Sequence, residues 1–68
     1  VVVEYQNGFI EGDFIQIFDY TGKLIKTENV NPFTFNHHLN INKLTNGLYY
    51  IRIFVDGTLV IKKISIVK

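Results

Sequence analysis

The adjacent pair His37-His38 is the first place in this chain where metal chemistry would be sought. Neighbours on an extended strand point to opposite faces, and no third ligand lies close by in sequence, so the two rings do not make a metal site without a bulge. They read as one half-buried and one solvated histidine. The carboxylates Glu4, Glu11, Asp13, Asp19, Glu28 and Asp56 fall mostly at strand ends and turns, where acidic side chains cap backbone groups. A glycosidase-type acid and base would need two of them facing each other across a cleft. Ser65 sits inside an apolar run rather than on the exposed elbow that a serine nucleophile requires. Gly8, Gly12, Gly22, Gly47 and Gly57 are isolated turn residues, not a phosphate-cradling loop. No catalytic residue, metal site or cofactor is expected, and the chain does not read as an enzyme.

Two further groups of residues bear on binding. Tyr50, Arg52, Phe54, Ile61 and Lys63 share one face of the closing hairpin, an aromatic and cationic mixture able to stack single-stranded bases. The formal charge of +1 is too small for a nucleic-acid binder. A second sheet packed on that face, with Lys63 lying across Tyr50, is the simpler expectation. The second group is the lysines of the last strand, Lys62, Lys63 and Lys68.

The elements that position these residues are strands. At 68 residues the chain is a single domain, 1–68, and a core of this size rarely supplies more than roughly 3–5 kcal/mol. With no cysteine to staple it, the fold depends on packed apolar side chains, and 47% of the residues are hydrophobic. No apolar run approaches the roughly 20 residues needed to span a bilayer as a helix. The sequence opens on Val1 rather than methionine and without a basic-then-apolar leader pattern, as expected of a fragment cut from a longer protein, whose export signal would then lie upstream.

Strand, loop, strand describes the start, with turns at Asn7-Gly8 and Gly12. Phe14 to Phe18 is apolar on both sides of the pleat, which predicts a central strand between two covered faces. Asp19-Tyr20-Thr21-Gly22-Lys23 predicts a tight turn leading into Leu24 to Thr27. Glu28 to Pro32 reads as a loop crossing between sheets. Phe33, Phe35, His37, Leu39 and Ile41 alternate with polar residues, the period-2 pattern of a strand with one buried face. Asn42 to Gly47 is a connector anchored by Leu44, and Asn46-Gly47 is its turn. Tyr49, Ile51, Ile53 and Val55 form the purer face of the next strand. Asp56-Gly57 fits a two-residue type I′ hairpin loop, which sets Ile53 opposite Val60, Ile51 opposite Lys62 and Tyr49 opposite Ile64. Lys62 then interrupts an apolar face, so either it snorkels at a sheet edge or a bulge at Lys62-Lys63 shifts the parity. No segment shows helical periodicity, and about six short strands give an all-β sandwich or small barrel.

Three blocks carry a resemblance: Ile15-Gln16-Ile17-Phe18-Asp19-Tyr20-Thr21-Gly22-Lys23-Leu24-Ile25, then Leu44-Thr45-Asn46-Gly47-Leu48-Tyr49-Tyr50-Ile51-Arg52-Ile53, then Lys62-Lys63-Ile64-Ser65-Ile66-Val67-Lys68. In order and spacing, from about Asp13 to Lys68, the chain resembles the C-terminal sorting domains of type IX secretion cargo in Bacteroidetes-type bacteria. Such domains usually open on a Pro-Asn-Pro box, and here only Asn31-Pro32 occurs, in a different place. Loss of a first strand accounts for this, and so does divergence. The resemblance implies a small immunoglobulin-like antiparallel β-sandwich that folds in the periplasm in transit and carries an upstream cargo across the outer membrane to the cell surface or medium. Its implied partners are the type IX translocon and shuttle proteins and a surface sortase-like peptidase. Lys62, Lys63 and Lys68 would carry recognition, while Asp19, Gly22, Lys23, Leu44, Gly47, Tyr49, Asp56 and Gly57 hold the shape.

An exposed terminal strand offers unpaired backbone groups to a receptor strand. The same strand invites strand exchange or edge-to-edge self-association, and plain protection from aggregation is a second role for Lys62 and Lys63. The alternative class is an immunoglobulin- or fibronectin-like adhesion or carbohydrate-associated module, since Leu44-x-x-Gly47-x-Tyr49 is close to a tyrosine corner, whose phenol bonds back to the backbone.

Overall fold

The computed structural model describes residues 2–68. In chain order the strands are β1 (Val2–Glu4), β2 (Phe14–Asp19), β3 (Leu24–Asn29), β4 (Asn36–His38), β5 (Gly47–Val55) and β6 (Thr58–Ile66), with no helix among the described residues. They form two antiparallel sheets, one of β1 and β4 and one of four strands in the order β3-β2-β5-β6.

The core follows from alternation along β2 and β5. Ile15 and Ile17 point inward and are fully buried, and their cross-strand partners Ile53 and Ile51 lie beside them. Tyr49 and Val55 extend this layer. Phe9, Val30, Leu39 and Leu44 complete the core from the loops, with Val3 and Tyr5 packed against it. Each fully buried isoleucine contributes about 1.5–3 kcal/mol, so a few such side chains decide whether the domain folds.

One acidic side chain ties the loops to this core. Asp13 is 3% exposed; its carboxylate accepts the Ile10 N–H at 2.8 Å and the Asp56 N–H at 3.1 Å. It thus joins the chain before β2 to the turn between β5 and β6, 43 residues away in sequence.

Four sequence expectations change. Phe14 to Phe18 is central, between β3 and β5, but only its inner face is covered, and Phe14, Gln16 and Phe18 are half-buried on an outer face that no second sheet packs upon. The face carrying Tyr50, Arg52, Phe54, Ile61 and Lys63 is that same open face. Glu28 and Asn29 belong to β3, because Glu28 pairs with Ile15 and Asn29 with Phe14. Finally, Phe33 to Ile41 is not one strand.

Phe33 has φ +64°, and its N–H donates to the Phe9 carbonyl at 2.7 Å. The carbonyls of Thr34 and Phe35 accept the N–H groups of Phe9 and Tyr5. This backbone therefore pairs irregularly with the loop after β1, and the rings of Phe33 and Phe35 turn outward, 83% and 63% exposed. The Phe35 ring leans over Gly8, where a Cβ would stand 3.2 Å from it. The expected alternation resumes at His37, Leu39 and Ile41, which are half-buried, buried and half-buried.

Candidate functional site

The closing hairpin has the register its loop demands. Asp56 and Gly57 both have positive φ, +48° and +73°, as a type I′ turn requires, and nine consecutive pairs run from Val55↔Thr58 to Gly47↔Ile66. Ile53 faces Val60, Ile51 faces Lys62 and Tyr49 faces Ile64, with no bulge. β6 is the last strand of its sheet. In an antiparallel ladder closed by a two-residue loop, the flanking pair is hydrogen-bonded and alternate residues point their backbone groups away. The N–H and C=O groups of Leu59, Ile61, Lys63 and Ser65 therefore line a straight free edge.

Without a bulge, Lys62 resolves its conflict by exposure: it lies on the inward side of the edge strand yet reaches solvent. Its stem borders a cleft of about 150 Å³ between the two sheets, alongside Val3, Tyr5, Phe9, Val55 and Val60. Lys63 projects from the opposite face, directly across from Tyr50. Lys68 lies past the strand end, where its Nζ donates to the Asn42 carbonyl at 2.8 Å and its backbone N–H to Asn46 Oδ1 at 2.9 Å. The three lysines thus mark two faces and one end of β6, not a single cationic patch.

The shape-holding residues sit in two turns, the connector and the strand that follows it. Asp19 Oδ1 accepts the Thr21 N–H at 2.9 Å, the Thr21 hydroxyl and the Lys23 N–H at 3.0 Å, and Gly22 takes φ +90° between them. The Thr21 hydroxyl and then the Lys23 N–H hold the Asp19 carboxyl below the usual carboxylate range. Leu44 is buried. Gly47 enters β5 at φ +154°, and the Tyr49 phenol donates to the Thr45 carbonyl at 2.7 Å. That bond closes a tyrosine corner over the connector.

Two features lie outside what periodicity reveals. One is the Asp13 clamp, whose only sequence signal is an acid standing between Gly12 and an apolar strand. The other is an ion cluster joining the sheets. Glu28 on β3 contacts His37 of β4 at 2.6 Å and Lys26 at 2.7 Å, and it accepts the Asn40 N–H at 3.3 Å. Partial burial pushes the Glu28 carboxyl up, but the Lys26 ammonium, the His37 ring and the Asn40 N–H together outweigh it, so the net shift is downward. His38 points to solvent. Both shifted carboxyls are thus held more firmly ionised, which suits capping and pairing rather than proton transfer near neutral pH.

A family model described as the secretion system C-terminal sorting domain matches residues 1–68. The chain belongs to this family. Its members are C-terminal sorting signals of type IX secretion, a family of addresses rather than enzymes, and the match takes in residues 1–12, ahead of the blocks that carry the resemblance. No curated protein and no solved structure matches the chain. For a sorting domain, the free edge of β6 and the lysines around it are the candidate site.

Proposed function

We propose that this domain directs an upstream cargo through the type IX translocon by presenting β6 as a template strand. The observation that carries the reading is the nine-residue, unbulged edge strand at the end of a four-stranded sheet. Such an edge adds a partner strand through main-chain hydrogen bonds, with side-chain pockets giving specificity. Lys62 stands beside the cleft between the sheets, where an incoming strand would place a side chain, and Lys63 and Lys68 discourage pairing with unrelated edges. The domain folds in the periplasm, is recognised by shuttle or translocon proteins, and is removed at the surface by a sortase-like peptidase. Its sandwich is of the immunoglobulin-like kind, a reading the tyrosine corner at Tyr49 supports.

Export of a reporter fused ahead of this chain, in a bacterium that possesses type IX secretion, tests the proposal. Removing Leu59 to Lys68 is expected to leave the reporter in the periplasm, and normal surface export would sink the sorting reading. Ser65→Pro is the finer variant, because it deletes an N–H that faces the edge rather than the ladder. Export should fall while the melting curve holds; unchanged export would remove edge pairing as the mechanism and leave the sorting assignment intact.

A further inference from the structure

The outer face of the four-stranded sheet is uncovered. Phe14 of β2 stacks on Phe54 of β5, centroids 5.2 Å apart and planes within 17°, and Leu59 continues that row on β6. In the next row Arg52 stands between Gln16 and Ile61, the latter 60% exposed. The Arg52 guanidinium lies over the Phe18 ring, 5.5 Å from its centroid. Its Nε is buried without an acceptor, and Arg52 makes no ion pair among the described residues.

The charges on this face are of one sign. Arg52 and Lys63 project from it, whereas the carboxylates occupy β1, loops, turns, the inward-facing last residue of β2 (Asp19) and the inward side of β3. We propose that this face docks a protein surface whose apolar patch carries a carboxylate, received by the Arg52 guanidinium. A guanidinium stacked on an aromatic ring is already oriented for bidentate recognition of a carboxylate, and a central arginine among aromatic residues is the usual composition of an energetic centre at protein interfaces.

Other occupants fit less well. A second copy docking through the same face brings two cations and no carboxylate to each half of the contact. Binding to an anionic membrane through a basic cluster takes about 4–8 cations, and tight nucleic-acid binding takes roughly 6–10 phosphate contacts; this face has two cationic side chains. The surface differs from the free backbone edge of β6, although β6 contributes Leu59 and Ile61 to it, so the proposal does not depend on the edge-pairing mechanism.

The test is an amide-resolved NMR titration of the whole chain with an acetylated, amidated pentapeptide Leu-Phe-Glu-Phe-Leu and its counterpart with Gln for Glu. The expected result is that shifts map to Tyr50 to Phe54 and to Leu59 and Ile61, with the Glu peptide binding about tenfold tighter than the Gln peptide. R52Q should equalise the two peptides, and R52K should retain part of the difference. Equal affinity of both peptides for the unaltered chain, no shifts with either, or shifts confined to other faces overturns the proposal. So does attachment of this face to anionic phosphatidylglycerol vesicles without peptide discrimination. Should R52Q fail to fold, the two-peptide comparison on the unaltered chain decides alone. No step passes through export, so this result and the sorting assignment stand or fall separately.

Discussion

At the scale of single residues, Asp13 is the most exacting position in the chain. Replacing it with Ala strands two N–H groups, those of Ile10 and Asp56, with no acceptor, at about 2–4 kcal/mol. Set against a total of roughly 3–5 kcal/mol for a core this small, D13A is expected to be largely unfolded in mild urea, and a midpoint equal to the parent's would refute the clamp. Tyr49→Phe removes the bond to the Thr45 carbonyl and the longer one, 3.2 Å, to the Thr45 hydroxyl and should lower stability by about 1 kcal/mol or a little more, read from the same urea curves. Tyr49 was legible in the sequence because its spacing from Leu44 and Gly47 is a local pattern. Asp13 was not, because one of its partners is 43 residues away and the same acid in an exposed turn, like Asp19, looks identical on paper.

At the scale of elements, the loop and register of the β5 and β6 hairpin were legible, because a two-residue loop fixes register and register fixes which side chains share a face; only the choice between an exposed Lys62 and a bulge was left to the fold. Gly57→Ala forces a Cβ into positive φ and should cost about 1 kcal/mol or more; Gly47→Val, at φ +154°, is expected to be destabilising for the same reason, and unchanged melting temperatures would count against both turns. Between Phe33 and Phe35 alternation misled, since irregular pairing with the loop after β1 turned apolar rings outward. The end of β3 was hidden by its polarity, although its purpose is visible in the fold, where Glu28 ties β3 to β4 through His37. The folded carboxyl sits below its ordinary value of 4.5, so its contribution is complete above that pH and is lost as pH falls through the lower, folded value. Because the cluster is partly exposed, that contribution is about 1 kcal/mol or less. Comparing melting temperatures at pH 6 and pH 3, E28Q should show a smaller acid-induced drop than the parent chain, whereas equal drops would mean that the cluster does not stabilise the fold.

At the scale of the whole molecule, the run of short strands and turns foretold an all-β sandwich or small barrel but not that the larger sheet would keep one face bare, because Phe14, Phe18 and Phe54 look the same in sequence whether a second layer covers them or not. The folded edge and the core are also one structure. β6 buries Ile66 and half-buries Val60 and Ile64, so truncating it both removes the address and opens the core, and lost export alone cannot separate the two effects. A substitution remote from β6 does separate them. Ile17 is fully buried on β2, and Ile17→Ala removes about 2–5 kcal/mol, comparable with the roughly 3–5 kcal/mol that holds the domain together, while leaving every residue of β6 unchanged. If the address is a folded edge strand, I17A should block export of a fused reporter as completely as truncation does, and conditions that restore folding, such as lower temperature, should restore export. Full export of a variant shown by circular dichroism to be unfolded at the export temperature would mean that the signal is read as a linear peptide, and the template-strand mechanism would fall.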